Sequence, residues 1–425
     1  MTFWDKNELR DPKVGAGKTV VLGLQHTFTM FGATILVPLL TGLDISVALF
    51  MAGAGTLLFH LFTRGGVPIF LGSSFAFIGA IIGAGAAYGL EYALGGIFVA
   101  GLIYLLMAAL VYFLGAEKIL SFFPPIVTGP VIMVIGLGLA PVAIDMASTN
   151  GGGEITGTAW LLALMSFIVV VIVSVFFKGF SKTLPVLISL AFSYVIAALL
   201  TVTGVAELID FTPIREAAWF GLPQFVMAKF DLGAILLVAP VAICTMVEHI
   251  GDVMAVGAIT NRDFVKKPGL HRTLLGDGLA TSLSAMFGGP ANTTYSENTG
   301  VLALTRQFNP TIMRIAAGFA IVLSLVPKLG AFINTIPVAI VGGISIVLFG
   351  MIASVGARTL VENKVDFQSA RNLIIAAVIL VLGIGGAAVP FSVGSVDFNI
   401  HGMALAAIVG ILLNQILPGK PEYTK

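Results

Sequence analysis

The chain has 425 residues, of which 58% are hydrophobic and only 10% charged, with a mean hydropathy of +1.05 and a formal net charge of +1. A soluble domain carries about a quarter of its residues as Asp, Glu, Lys and Arg, so this composition excludes one and predicts an all-α polytopic membrane protein lying in the lipid bilayer. Charge this sparse and this balanced also excludes a nucleic-acid partner, and the lone Cys244 excludes both an intrachain disulfide and a cysteine metal site.

The first segment, residues 1–17, is charged and lacks a short apolar core with a small-residue cleavage site, so it predicts a cytoplasmic tail followed by an uncleaved first helix. Apolar stretches of about 17 to 25 residues, enough to cross roughly 30 Å of hydrocarbon, then follow one another. They begin near Val20, Ser46, Val67, Leu94, Leu120, Ala159, Leu184, Leu232, Thr273, Ala291, Met313, Thr335, Asn372 and His401, which predicts fourteen spans. Polar and glycine residues interrupt the third and the tenth. The longest hydrophilic stretch, 203–231, is predicted to be an extracytoplasmic connector between halves 18–202 and 232–417, with residues 418–425 as a second cytoplasmic tail. Lys and Arg accumulate on the cytoplasmic side of membrane proteins. With both termini inside, only Arg215, Lys229 and Lys328 of the 22 basic residues fall outside, a split of 19 against 3 that supports an even number of spans.

The two halves resemble each other. Phe123-Pro124-Pro125-Ile126-Val127-Thr128-Gly129-Pro130 and Ile336-Pro337-Val338-Ala339-Ile340-Val341-Gly342-Gly343 share proline and glycine positions 213 residues apart, about half the chain. The interrupted third span, around Gly72-Ser73-Ser74-Phe75, precedes the interrupted tenth by about the same interval. Seven spans is an odd number, so a second copy must enter the membrane inverted, the plan of many secondary transporters.

An ionisable side chain in hydrocarbon costs at least about 2.5 kcal/mol on insertion scales, so each one retained needs a partner or a task. His26, Glu248, His249, Asp252 and Glu297 are such residues. Glu248 and Asp252, four apart, share one helical face. Asn292-Thr293-Thr294-Tyr295-Ser296-Glu297 has irregular character at membrane depth, tolerated only where it lines a cavity or is buried in protein. Its β-branched and aromatic residues favour extended backbone. A half-span starting there offers free N–H groups. Carboxylates accept and amides donate, so a ligand with alternating N–H and C=O groups along one edge satisfies both, as a nucleobase does, and Phe75 offers an apolar face for a flat ring. Two neighbouring carboxylates do not both ionise readily, which provides a route to proton coupling.

These residues also carry a resemblance. Glu297-Asn298-Thr299-Gly300 with Thr305-Arg306, Gln25-His26 with Phe31-Gly32-Ala33-Thr34, Gly72-Ser73-Ser74-Phe75-Ala76-Phe77, Glu248-His249 with Gly251, Pro268-Gly269-Leu270-His271-Arg272 and Thr293-Thr294-Tyr295 together resemble the nucleobase-ascorbate transporter family, in its bacterial uracil-transporting branch, over essentially the whole chain. The resemblance implies a multi-pass protein of the bacterial cytoplasmic membrane. It implies a core domain from spans 1–4 and 8–11, a gate domain from spans 5–7 and 12–14, short strands in spans 3 and 10, a homodimer, and proton-coupled uptake of a base. It implies that Glu248 and Glu297 accept from the pyrimidine N–H groups, that Phe75 stacks on the ring, and that the backbone N–H groups of Phe75 and Ser296 reach its carbonyls. Ser74 and Tyr295 complete that substrate set, His26 orients Glu297, and Gln25 and His249 join the orienting or proton-handling group. Glutamate at 297 favours uracil over xanthine. Two positions depart from the family pattern: Asp252 stands where histidine is usual and Ser296 where glycine is usual, which leaves Asp252, or Glu248 with Glu297, as the proton carrier.

Plainer readings stand beside these. His26 also reads as a buried structural histidine, Asp252 as an interfacial acid, Tyr295 as packing, and Asp277, after a cytoplasmic loop, as a helix-end residue. Glu248-His249 is not a zinc-binding His-Glu-x-x-His, and no nucleotide-binding loop or cofactor motif appears, so the expectation is a transporter without a cofactor, coupled to protons or sodium, and not an enzyme. An anion carrier or channel of the same fold is the remaining alternative, disfavoured because two glutamates repel an anion.

Overall fold

The computed structural model describes residues 15–149, 153–393 and 396–419. Lys6, Arg10, Lys13, Lys420 and Lys425 of the basic-residue tally, and most of the two predicted tails, lie outside these residues. The chain is mostly helical. Its first half comprises α1 (Ala16–Thr41), α2 (Ile45–Phe62), the strand β1 (Leu71–Ser73), a 3-10 turn (Phe75–Phe77) continuing as α3 (Ile78–Tyr88), α4 (Leu90–Leu114), α5 (Ala116–Leu120), α6 (Pro125–Gly138), α7 (Ala140–Thr149), α8 (Gly157–Phe176) and α9 (Pro185–Val202). After α10 (Thr212–Glu216) the second half comprises α11 (Leu232–Val238), α12 (Ala242–Thr260), α13 (Leu270–Met286), β2 (Asn292–Thr294), α14 (Ser296–Thr305), α15 (Pro310–Ser324), α16 (Pro327–Asn334), α17 (Val338–Glu362), α18 (Ala370–Ile384), the strands β3 (Ala388–Val393) and β4 (Val396–His401), and α19 (Gly402–Ile416). Among the described residues eight helical segments are long and apolar enough to cross a membrane, or nine if α15 and α16, bent by 80°, form one span.

Local chemistry sets several helix starts. Asp44 accepts the Val47 N–H at 2.8 Å to begin α2, and Asp231 accepts from Gly233 and Ala234 to begin α11. Asn309 accepts from Thr311 ahead of α15, with Pro310 in the first turn, where a missing N–H costs nothing. The two matching proline motifs do the same work: Pro124 precedes α6, Pro337 precedes α17, and these helices pack on each other.

Packing falls into two groups. In one, α4 and α2 lie against α13, and α1 and α2 against α15; in the other, α17 lies against α6, α7 and α8, and α18 against α19 and α6. In lipid, close approach of helices replaces the hydrophobic drive of water, and small residues permit it. Between α4 and α13 a methyl on Gly101 would lie 2.6 Å from the Gly278 carbonyl oxygen and closer still to Ser282 Oγ. Between α17 and α8 the Ser166 hydroxyl donates to the Ile340 carbonyl at 2.9 Å. Gly101→Val is therefore expected to lower the melting temperature of the purified protein, overpacking costing about 1–3 kcal/mol, whereas Gly79→Ala, with nothing within 4 Å of the added methyl, leaves it unchanged. An equal melting temperature for Gly101→Val would show that α4 and α13 separate freely.

The hairpin of β3 and β4, paired antiparallel from Ala388 opposite His401 to Val393 opposite Val396, departs from the all-α expectation. Its signal was present in the period-2 alternation Val396-Asp397-Phe398-Asn399-Ile400, which a search for long apolar runs passes over.

Candidate functional site

β1 and β2 are the two interrupted segments, and they pair antiparallel with each other: Leu71 faces Thr294, Gly72 faces Thr293 and Ser73 faces Asn292. The ladder extends outward through Ser74 N–H to Ala291 O (2.9 Å) and Tyr295 N–H to Phe70 O (3.1 Å). A two-stranded ladder has two outer edges, and side chains cover both. On one, Thr56 of α2 accepts the Leu71 N–H at 2.9 Å and donates to the Leu71 carbonyl at 3.2 Å. On the other, Thr281 of α13 donates to the Asn292 carbonyl at 3.0 Å, while the Asn292 amide donates to the carbonyls of Met51 and Ala280. The non-helical backbone is thus buried in protein, with edge groups of both strands met by side chains, as its depth requires.

Each strand runs directly into a helix. In α14 the first helical amide bond is Thr299 N–H to Tyr295 O at 3.3 Å, and in the other segment it is Ile78 N–H to Phe75 O. The amides of Ser296, Glu297 and Asn298, and those of Phe75, Ala76 and Phe77, therefore precede their ladders. Both ends of the strand pair present helix N-termini, which attract acceptors and negative charge.

The predicted residues converge on these ends. Asp252, in the middle of α12 and not at its edge, receives the Thr294 hydroxyl on Oδ2 at 2.6 Å and the Ser296 hydroxyl on Oδ1 at 2.7 Å. Glu248 lies one turn earlier, within electrostatic reach of Asp252 and Glu297. Glu248, Asp252 and Glu297 are half-buried and Ser296 is exposed. A methyl built on Gly251 or Gly300 would meet nothing within 4 Å, so this part of α12 and α14 borders open space. Phe75 is buried, with its ring edge-to-face against Phe349 of α17 at 5.8 Å. Ser74 has a buried hydroxyl without a protein partner, as does Ser345, one turn before Phe349. Phe349 and Ser345 were not legible in the sequence, since Phe349 is one of 31 phenylalanines and lies in a uniformly apolar run.

Three expectations change. Tyr295 packs over Gly72, with its hydroxyl donating to the Ser73 carbonyl at 3.0 Å and accepting from Thr34 at 3.2 Å, so both its polar capacities are engaged in bracing the strand pair to α1. His26, expected beside Glu297, is met instead by the next residue, whose Asn298 amide lies 3.1 Å from its Nδ1; Gln25 is buried beside it on α1. Asp277 is not a helix-end residue: it is fully buried inside α13, 2.8 Å from Nδ1 of the equally buried His249, whose ring meets Phe59 and Tyr104 edge-on. A buried acid in an apolar setting needs a partner, and His249 is that partner. Among the described residues no cluster of His, Cys, Asp and Glu is placed to hold a metal ion.

A profile described as the Permease family matches residues 17–392. The chain is 46% identical over 401 residues to the probable uracil permease of Haemophilus influenzae, covering 94% of each. It is 45% identical over 412 residues to the uracil permease of Bacillus caldolyticus (96% of this chain, 93% of the relative). It is also 40% identical over 401 residues to the uracil permease of Escherichia coli K12 (94% and 91%). Among solved structures, the transmembrane domain of the cyanobacterial bicarbonate transporter BicA aligns with a TM-score of 0.64 at 16% identity, covering 94% of this chain and 97% of that one. The murine anion transporter Slc26a9, in an inward-facing state, aligns with a TM-score of 0.70 at 11% identity over 96% of this chain and 69% of its own. At such identities the likeness carries the fold alone. Fold and apolar helices define a multi-pass membrane protein with a transporter fold. The chain belongs to the nucleobase-ascorbate transporter family, whose matched relatives are named permeases and not enzymes.

Proposed function

We propose that this chain is a proton-coupled symporter that imports uracil across a bacterial cytoplasmic membrane. The observation that carries the reading is the pairing of β1 with β2, which puts a helix N-terminus at each end of the ladder, that of α14 holding Glu297 in its first turn within electrostatic reach of Glu248. In this reading the two carboxylates accept from the N–H groups of the ring, and the backbone amides of Phe75 and Ser296 donate to its carbonyls. Phe75 stacks on the ring, a contact worth roughly 1–3 kcal/mol. Ser74 lines the same pocket. The coupled proton resides among the carboxylates. The names of the matched relatives support uracil as the substrate, and the acidic site disfavours an anion even though BicA and Slc26a9 share the fold.

The wider plan belongs to the same proposal. Fourteen membrane segments arise when the two strand-and-half-helix units and the shorter helices count as spans, forming two inverted repeats over 18–202 and 232–417. The antiparallel β1–β2 pairing supports inversion, since equivalent segments of two such repeats run in opposite directions. The two packing groups support a core of spans 1–4 and 8–11 and a gate of spans 5–7 and 12–14. Movement of one against the other gives elevator-like alternating access, with Phe349 facing Phe75 across the divide. The charge split supports cytoplasmic termini, and a homodimer is the expected assembly.

Labelled uracil uptake into proteoliposomes tests this, with and without an inward proton gradient, in sodium-free buffer and with unlabelled xanthine as competitor. Gradient-driven accumulation insensitive to xanthine is the expected result. Uptake that requires sodium overturns the proton coupling, and uptake blocked by xanthine overturns the uracil preference.

A further inference from the structure

Asp252 of α12 and Ser296 of α14 are in contact. Ser296 Oγ donates to Asp252 Oδ1 at 2.7 Å and Thr294 Oγ1 donates to Oδ2 at 2.6 Å, so both oxygens of one carboxylate are engaged. The two hydroxyls flank the strand-to-helix junction: Thr294 ends β2 and Ser296 begins α14. Tyr295, between them, is held elsewhere, by the Ser73 carbonyl and Thr34. Residues i and i+2 of an extended segment share a side while i+1 takes the other, so the junction is gripped from both sides. Asp252 thereby joins two elements that each carry a proposed substrate ligand, α12 with Glu248 one turn earlier and α14 with Glu297 next to Ser296.

We propose that Asp252 is a positioning residue which, with Thr294 and Ser296 as donors, forms a clasp that sets the spacing of Glu248 and Glu297 and so the affinity of the site. Hydroxyl-to-carboxylate bonds of this length belong to the strong, charge-assisted class, and a carboxylate at the start of α14 also complements that helix's free amides. The ionisable groups around the clasp are Glu248 and His249 on its own helix, Asp277 on α13 and Glu297 on α14.

The inference rests on the uracil site proposed above, and a double-mutant cycle on the purified full-length protein separates the two. Uracil affinity is measured by titration calorimetry and folding by melting temperature. Ser296→Ala is expected to weaken binding about tenfold, the scale of one lost bond to a charged group, and Asp252→Ala, which removes both acceptor oxygens, by at least as much. The double variant is expected to be no weaker than Asp252→Ala alone, because the second change removes a donor whose acceptor has already gone. Thr294→Val should behave as Ser296→Ala does, and Ser296→Thr, which keeps the hydroxyl, should retain wild-type affinity. Losses that multiply in the double variant, or a Ser296→Ala protein with wild-type affinity, overturn the clasp. If the wild-type protein binds no uracil the substrate reading fails, and the same cycle in melting temperature then decides: non-additive shifts sustain the clasp and additive shifts overturn it.

Discussion

Glu297→Gln is expected to abolish measurable uracil binding and uptake while the protein still folds. The substitution preserves shape and removes the charge, so its effect isolates hydrogen-bond polarity. A glutamate presents two acceptor oxygens, whereas a glutamine amide presents one oxygen and one NH2 donor. The variant keeps at most a neutral bond from the ring N–H to its amide oxygen, and its NH2 takes the place of the second carboxylate oxygen beside a ring that also donates, together worth at least about a hundredfold in affinity. Glu297 begins the first turn of α14 in half-buried surroundings, close enough to Glu248 and Asp252 for their charges to interact, so the loss is not made good by water as it would be at an open surface. Calorimetry on the folded variant is the direct measurement. Wild-type affinity in that variant would remove Glu297 from the substrate site.

The second large effect is structural. Gly72→Ala is expected both to destabilise the protein and to weaken uracil binding at least tenfold. A methyl at this position would lie 2.5 Å from Tyr295 Cε2 and 2.8 Å from its hydroxyl, and the ring has little freedom to retreat because that hydroxyl is bonded to the Ser73 carbonyl and to Thr34. Overpacking of this kind costs about 1–3 kcal/mol. Part of the strain is expected to fall on the Gly72–Thr293 pair, and any shift there moves the helix N-termini at both ends of the ladder. Adding Tyr295→Ala to the Gly72→Ala protein should cost less stability than Tyr295→Ala costs the wild type, since there it also removes the clash. Melting temperatures of the four proteins check this, and a Gly72→Ala protein with unchanged melting temperature and affinity would show that the strand pair yields to the added methyl at no cost.

Several parts of this arrangement were legible in the sequence for a single reason: polar atoms in hydrocarbon are costly. The run from Asn292 to Gly300 stands out against its apolar flanks, and Thr293 and Thr294 mark it as extended. Glu248 and Asp252 at a spacing of four had to share a helical face. The matching proline motifs at 124 and 337 mark equivalent places in the two halves, and α6 and α17 begin just after them. The hairpin of β3 and β4 follows a period-2 alternation over 396–400 too short and too polar to register as an apolar span.

Costs and periods are written along the chain: which segments are apolar enough for the bilayer, which polar groups there demand partners, and which residues share one face of one helix. Which partners those groups find depends on how the helices pack. Asp252 meets Ser296 from 44 positions away, His26 meets Asn298 from 272, and Tyr295 meets Thr34 from 261. Asp277 looked like the end of a helix until His249 was seen against it, and Phe75 and Phe349 were two phenylalanines among 31. The physical reason is that desolvation cost and helical period are properties of a residue and its near neighbours, whereas hydrogen bonds and ring contacts act over a few ångströms between elements brought together only by packing of the whole chain.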